Sequence, residues 1–166
     1  MTNRSSLQGW PRRDRRGFTL LELVIAIAIA GLLLAIALPS FQNSIRKSRR
    51  SDAVAALASL QQAQERWRTN NESYADNSQL TSAPPAGLGL TAGSAGGHYA
   101  VKIGTTTSTS YVILAAANAS SSQSQDGTCV VLAVRMQTGG ITYGSSASSV
   151  EAGIDWSDAD RCWVRS

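Results

Sequence analysis

The sequence predicts an α+β protein in which one long N-terminal helix precedes a small antiparallel sheet. Two observations indicate this fold class. Residues 18–38 form a single apolar block that is long enough for a continuous helix. Beyond this block, apolar residues first recur at three- and four-residue steps and then fall into short runs typical of strands. The length of 166 residues favours one domain with an appendage.

Residues 1–17 are predicted to be a leader peptide that is removed and takes no part in the fold. The chain has 15 basic and 11 acidic residues, of which five arginines and one aspartate lie in the leader, so the remainder carries no net charge. Because a nucleic-acid interface needs a positive surface, this balance gives only weak support to a nucleic-acid partner. The single histidine excludes a histidine-rich metal site, and we expect neither a metal nor a cofactor.

The apolar block at residues 18–38 is predicted to span a membrane once. Its 21 residues form a helix of about 30 Å, which is the thickness of a hydrocarbon core. The leader arginines place the N-terminus in the cytoplasm. Cations that follow the block oppose this orientation, but the leader prevails because its charges are more numerous and are synthesised first. The opposing cations are Arg46, Lys47, Arg49 and Arg50.

Residues 39–70 are predicted to continue the helix as an amphipathic half. Pro39 removes one backbone donor and should kink the helix at this position. Polar residues then occupy one face, and the pair Asn70-Asn71 is expected to end the helix. The opposite, apolar face consists of Ala53, Ala56, Leu57, Leu60, Ala63 and Trp67.

Residues 71–97 are predicted to be a connecting loop, and residues 98–166 an antiparallel sheet with a C-terminal region. The apolar face of a small sheet needs a cover, which the amphipathic half of the helix supplies. We expect three or four strands, which correspond to the β-type runs at residues 98–103, 110–115, 129–136 and 141–143.

Cys129 and Cys162 are the two cysteines of the chain. If this part of the chain is exported, it reaches an oxidising compartment, where an even number of cysteines favours a disulfide bond. The bond would close a loop of 34 residues and stabilise the fold by roughly 3–4 kcal/mol in the chain-entropy model. The alternative is a pair of buried free thiols.

Glu22 lies inside the apolar block, five positions from its start. A carboxylate in hydrocarbon is costly, so an intramembrane acid indicates a functional site that includes a cation or a donor. Cleavage between Gly17 and Phe18 would create such a cation, the α-amino group of Phe18. The alternative is an acid at the level of the lipid headgroups with no further role.

The segment from Arg15 to Leu23, with the sequence RRGFTLLEL, resembles the prepilin peptidase site of type IV pilins and pseudopilins. Pro39 falls where that family has its helix-kinking proline. The C-terminal region that ends in Arg161-Cys162-Trp163 is similar to the disulfide-bounded loop of type IVa pilins, with Cys129 as the other cysteine. The resemblance therefore implies a type IV pilin fold.

The resemblance also implies a structural, non-enzymatic function. Prepilin peptidase would cleave after Gly17 and N-methylate Phe18, and the subunit would wait in the inner membrane. An inner-membrane assembly platform would then deliver it to an extracellular pilus of like subunits, used in adhesion, twitching motility or DNA uptake. Glu22 would pair with the Phe18 amine of a neighbouring subunit and set the register. Major and minor pilins are equally compatible with the sequence.

Other interpretations remain open. A pseudopilin of a type II secretion system could bind calcium through Asp155, Asp158 and Asp160, although these lack the glycine and terminal glutamate of an EF-hand. A soluble secreted protein would use the match to a signal-peptidase site at residues 35–37 and begin at Leu38.

Two further interpretations rest on single features. A membrane-anchored enzyme would rely on His98, for which the sequence offers no nucleophile motif. A DNA-binding patch at residues 46–50 competes with a membrane-surface or subunit-packing role for the same cations.

Overall fold

The structure is a computed structural model that describes residues 17–148, 153–157 and 161–163. The chain divides into two compact units, residues 1–40 and residues 41–166, and each is described on its own. The predicted leader lies outside the described residues except for Gly17, which is exposed.

One long helix, α1, extends over Leu20–Arg68 and contains Pro39 in its interior. It begins two residues after the predicted start and ends two residues before Asn70. At this end the Asn70 N–H and the Asn71 side-chain amide both donate to the Trp67 carbonyl, at 3.1 and 2.9 Å. These bonds satisfy a carbonyl that the helix leaves without a partner. A kink at Pro39 stays a prediction.

The second unit contains four strands, β1 Tyr99–Thr106, β2 Ser110–Ala117, β3 Val131–Gln137 and β4 Gly140–Ser146. They form one antiparallel sheet in this order, and four is the upper of the two predicted strand counts. The turn between β3 and β4 consists of Thr138 and Gly139, whose φ angles are 48° and 84°. Positive φ at both positions is what a two-residue hairpin turn requires. Most strands extend further than their predicted runs because turn and small residues join the ladders.

The predicted apolar face of α1 packs against one face of this sheet and forms the main core. Leu57 and Leu60 are fully buried there with Ile113 of β2 and Leu132 of β3. The helical period of about 3.6 residues places these helix side chains in one row. The remaining predicted positions are also covered, fully at Ala53 and Ala63 and partly at Ala56 and Trp67.

One polar residue, Gln64, is fully buried within this face. Its side-chain amide donates to the Ala75 carbonyl at 2.8 Å and accepts from the Ala75 N–H at 2.9 Å. Both bonds satisfy backbone groups that burial would otherwise leave unpaired. The connecting loop predicted at residues 71–97 is thus fixed to α1, and it contains a short 3₁₀ turn, Asn77–Gln79.

The C-terminal region is bound to the sheet by a disulfide bond and by aromatic contacts. Cys129 and Cys162 are joined, with their Cα atoms 5.7 Å apart, and both are buried. The predicted disulfide bond is confirmed. The Trp163 indole N–H donates to the Gly144 carbonyl at 3.0 Å, and its ring lies 4.7 Å from that of Tyr143. Residues 145–146, which lie beyond the last predicted β-type run at 141–143, also belong to β4.

We expect Leu57→Ala to lower the free energy of unfolding by about 2–5 kcal/mol, because it leaves a cavity between helix and sheet. Gln62→Ala, on the exposed face of the helix, should change it by about 0.5 kcal/mol or less. Urea unfolding of the full chain in detergent, followed by tryptophan fluorescence, measures both. Equal losses in the two variants would contradict the packing of this face on the sheet.

Candidate functional site

The N-terminal part of α1 exposes apolar side chains on all its sides. No polar side chain occurs between Leu23 and Leu38, and large residues throughout this stretch are exposed. By length and composition, α1 is the one helix in the described part of the chain that could cross a membrane. A helix that is apolar all round is stable only in hydrocarbon or among other helices.

The predicted cleavage and assembly residues lie together at the start of α1. Gly17 and Phe18 precede the helix without regular secondary structure, and Phe18 is 83% exposed. Glu22 is in the first turn, and its N–H donates to the Thr19 hydroxyl at 3.1 Å. Thr19 therefore caps the helix. The acid of Glu22 also lies where the partial positive charge of the helix N-terminus favours it.

Thr19 is a residue that the sequence interpretation missed. Residues 19–22 have the pattern Thr-x-x-Glu, which is the sequence pattern of a capping box at a helix start. That pattern could have identified the cap. The first-turn position of Glu22 also gives its carboxylate a favourable interaction with the helix terminus of its own chain, in addition to the predicted role between subunits.

A buried ion pair holds the second unit together on the side of the disulfide bond. The Arg50 guanidinium forms two hydrogen bonds with the Asp126 carboxylate, at 2.8 and 2.9 Å, and both side chains are more than nine-tenths buried. Two parallel N–H···O bonds are the favoured geometry for this pair. We call these two residues the Arg50–Asp126 anchor.

The anchor connects α1 to two later parts of the chain. Gln123 donates from its side-chain amide to Asp126 at 2.9 Å and to the Arg46 carbonyl at 3.2 Å. Arg50 also donates to the Arg161 carbonyl at 3.4 Å, next to Cys162. The loop before β3 and the disulfide region are therefore both fixed to the same turn of the helix.

The surroundings of the anchor are polar but closed to water. Burial, followed by the nearby Asp126 carboxylate, raises the pKa of Tyr99 to about 12. The Tyr99 hydroxyl and the Gln123 side-chain oxygen are buried and form no hydrogen bond with any part of the chain that the structure describes. Burying polar groups without a hydrogen-bond partner is unfavourable.

The cations predicted as one group after the apolar block do not form one surface. Arg50 is buried and neutralised, while Lys47 is exposed and Arg46 and Arg49 are half-buried. The hypothesis of a DNA-binding patch at residues 46–50 therefore loses Arg50. No sequence pattern identifies Asp126 as its partner, because 76 residues separate the two.

Of the residues behind the metal and enzyme alternatives, the structure describes Asp155 and His98. Asp155 accepts from the N–H and hydroxyl of Ser157, while Asp158 and Asp160 lie outside the described residues. Within the described ranges, no group of three metal-binding side chains occurs. His98 is half-buried, and its Nδ1 lies 3.4 Å from the Ser121 hydroxyl.

Comparison with protein families identifies the chain. A family model described as "Type IV minor pilin ComP, DNA uptake sequence receptor" matches residues 39–133, which is more than half of the sequence. The chain belongs to this family of type IV minor pilins. A second model, the prokaryotic N-terminal methylation motif, matches residues 12–38 of this pilin. Family membership confirms the fold class and the resemblance on which the sequence interpretation relied.

Individual relatives match part of the pilin. It is 43% identical over 61 residues to the type IV major pilin protein PilA of Myxococcus xanthus, covering 37% of this chain and 28% of the relative. For PilE1 of Neisseria gonorrhoeae the identity is 35% over 72 residues, with coverages of 43% and 34%. A type II secretion system core protein G, from Pectobacterium carotovorum, is 34% identical over 65 residues, with coverages of 39% and 42%. The pilin thus spans less than half the length of these relatives.

Asp126→Asn should lower the free energy of unfolding by about 3–5 kcal/mol, because it leaves the Arg50 guanidinium buried without a counter-charge. The double variant Arg50→Met/Asp126→Leu removes both charges and should be less destabilising than the single change. Chemical denaturation of the full chain measures both variants. The anchor has no such role if the single variant is as stable as the wild type.

Proposed function

We propose that this pilin is a structural subunit of a type IV pilus. It is held in the inner membrane by residues 18–38 with its N-terminus in the cytoplasm, cleaved by prepilin peptidase between Gly17 and Phe18, and N-methylated at Phe18. An inner-membrane assembly platform then transfers it to an extracellular filament, where other pilin subunits surround its apolar helix.

The exposed apolar stretch of α1 carries this proposal. Its side chains are uncovered within the chain, and a surface of this extent marks an interaction with a membrane or with other proteins. Lipid covers such a helix before assembly, and neighbouring pilin helices cover it afterwards. The match to the N-terminal methylation motif supports cleavage and methylation at the proposed residues.

Glu22 is proposed to set the register between subunits. In a filament the Glu22 carboxylate would neutralise the Phe18 amine of a neighbour, where either charge alone would be unfavourable. Pro39 is proposed to weaken the helix and permit a kink during assembly. A pseudopilin in a type II secretion system would use the same N-terminal features, as the similarity to core protein G indicates.

We expect Glu22→Ala to reduce incorporation into filaments about tenfold or more, which corresponds to a loss of only about 1.4 kcal/mol per contact. Thr19→Ala is the matched control, because it removes the helix cap but keeps the acid. Mass spectrometry of sheared filaments and of the membrane fraction, from cells that also carry the wild-type chain, measures the ratio. Incorporated chains should begin at a methylated Phe18.

Three results would contradict the proposal. Equal losses in the two variants would show that Glu22 acts only through the helix terminus. Unchanged incorporation of Glu22→Ala would refute the register role. A chain recovered outside the membrane with Leu38 as its first residue would favour the soluble secreted alternative.

A second function is supported by the description of the family model as a DNA uptake sequence receptor. The face of the sheet opposite α1 carries two cations around an apolar cluster in which Leu114 and Ala133 are buried. Lys102 of β1 pairs with Leu114 of β2, which in turn pairs with Ala133 of β3. Arg135 lies two residues beyond Ala133 on the same strand and therefore on the same face of the sheet. Lys102 is exposed, and the Arg135 guanidinium lies 4.5 Å from the centroid of the Trp156 ring. One cation stacked on an aromatic ring and a second, exposed cation on the same face of the sheet suit contacts with a phosphate backbone.

Lys102→Gln/Arg135→Gln should weaken binding of duplex DNA about tenfold and lower the slope of log affinity against log salt by about two, since two phosphate contacts are lost. The control Lys47→Gln/Arg66→Gln removes two exposed charges elsewhere and should have little effect. Fluorescence anisotropy of the full chain in detergent measures both. Equal slopes for the two double variants would exclude the sheet face as the interface.

A further inference from the structure

A small cavity lies between α1 and the loop that precedes β3. It has a volume of about 300 Å³, and two arginines one helical turn apart form its helix side. The opposite side belongs to the 3₁₀ turn Ser122–Gln125. We call this cavity the Arg46–Arg49 pocket, and it is lined by Gln42, Ile45, Arg46, Arg49, Ser122 and Gln125.

The two guanidinium groups of the pocket contact only neutral acceptors. Arg46 donates to the side-chain oxygens of Asn43 and Gln125, at 3.1 and 3.2 Å. Arg49 donates to the Ser122 hydroxyl at 2.7 Å. Within the described part of the chain neither forms an ion pair, in contrast to their neighbour Arg50. Each guanidinium has five N–H donors, so most of the donors remain available to an anion.

The pocket is held in shape by contacts that do not use these two side chains. Gln123 binds the Arg46 backbone carbonyl and Asp126, and Asp126 binds Arg50. The loop therefore stays docked on the helix when the Arg46 and Arg49 side chains are replaced. A site of this kind is preorganised, which reduces the entropy that a ligand loses on binding.

We infer that the Arg46–Arg49 pocket binds the phosphate of an anionic phospholipid headgroup while the pilin is held in the membrane. The inference rests on the proposed membrane-held subunit. Two arginines with a hydroxyl and an amide match the oxygens of one phosphate group. Arg46 follows Leu38, the end of the apolar stretch, by only eight residues.

A phospholipid suits this pocket better than DNA does. The pocket offers two guanidinium groups, which suit one phosphate group, whereas a duplex needs several phosphate contacts along a positive surface. Residues 18–166 carry no net charge, which disfavours a long positive surface around the pocket. Anionic headgroups also attract basic residues that follow a membrane span.

The experiment titrates the full chain in detergent micelles with phosphatidylglycerol or phosphatidylcholine and counts retained lipids by native mass spectrometry. Arg46→Gln/Arg49→Gln should weaken phosphatidylglycerol binding about tenfold and leave phosphatidylcholine binding unchanged. The matched control Lys47→Gln/Arg66→Gln removes the same charge outside the pocket and should change it less than about twofold. Arg46→Lys/Arg49→Lys keeps the charge without the planar fork and should bind with intermediate affinity.

The control variants distinguish a lipid site in the pocket from a diffuse charge effect, a free-anion site and a DNA contact. Disulfide formation and the unfolding midpoint report whether a variant folds, and the lysine variant replaces any glutamine variant that does not.

Equal effects of pocket and control variants overturn the inference, because they show that charge alone attracts the lipid. Displacement of the lipid by inorganic phosphate overturns it in favour of a free-anion site. A loss of duplex DNA affinity with unchanged lipid binding makes the pocket a DNA contact. If the proposed function itself is wrong, a different result is expected: the chain is absent from the membrane fraction.

Discussion

The burial of one face of α1 against the sheet is the constraint on which the second unit depends. Leu57 and Leu60 are fully buried there, and their spacing fixes the rotation of the helix about its axis. That rotation places Arg50 and Gln64, at the two ends of the same face, inside the protein. Each must then have a polar partner, and each finds one in a different loop, at Asp126 and at Ala75. Apolar packing thus dictates where polar bonds form.

The N-terminal part of the same helix meets the opposite condition. Between Leu23 and Leu38 the chain contributes no polar side chain, so helical hydrogen bonds satisfy the backbone and the surroundings must cover the side chains. The charge of Glu22 is tolerated because it lies at the terminus, where Thr19 caps the helix and the helix dipole favours an acid. This charge is costly in lipid. In a filament it would pair with the amine of a neighbouring subunit and so set the register between the two subunits.

The fold was predictable from the sequence wherever the spacing of apolar residues indicates which side chains are buried. The apolar row from Ala53 to Trp67 and the β-type runs identified the helix face and the strands, because both patterns are local. Gln64 and Asp126 were missed, since their partners lie in distant parts of the chain and no local pattern marks them. Thr19 differs, because its capping pattern was present in the sequence. The disulfide bond was predictable from the even number of cysteines and the oxidising compartment expected for an exported chain, without any knowledge of geometry.

The run of cations after Leu38 illustrates why a residue's charge does not define its role. Arg49 and Arg50 are adjacent in sequence, yet the helix turns them by about 100° relative to each other. Arg50 consequently faces the interior and is neutralised by Asp126, whereas Arg49 donates to the neutral Ser122 hydroxyl and forms no ion pair within the described ranges. The first charge stabilises the fold because its partner is fixed within the chain. The second keeps its attraction for an anion from outside. The anchor that neutralises one arginine also holds the loop that shapes the pocket of the other, so the stability of this unit and its capacity to bind an anion arise from the same contacts.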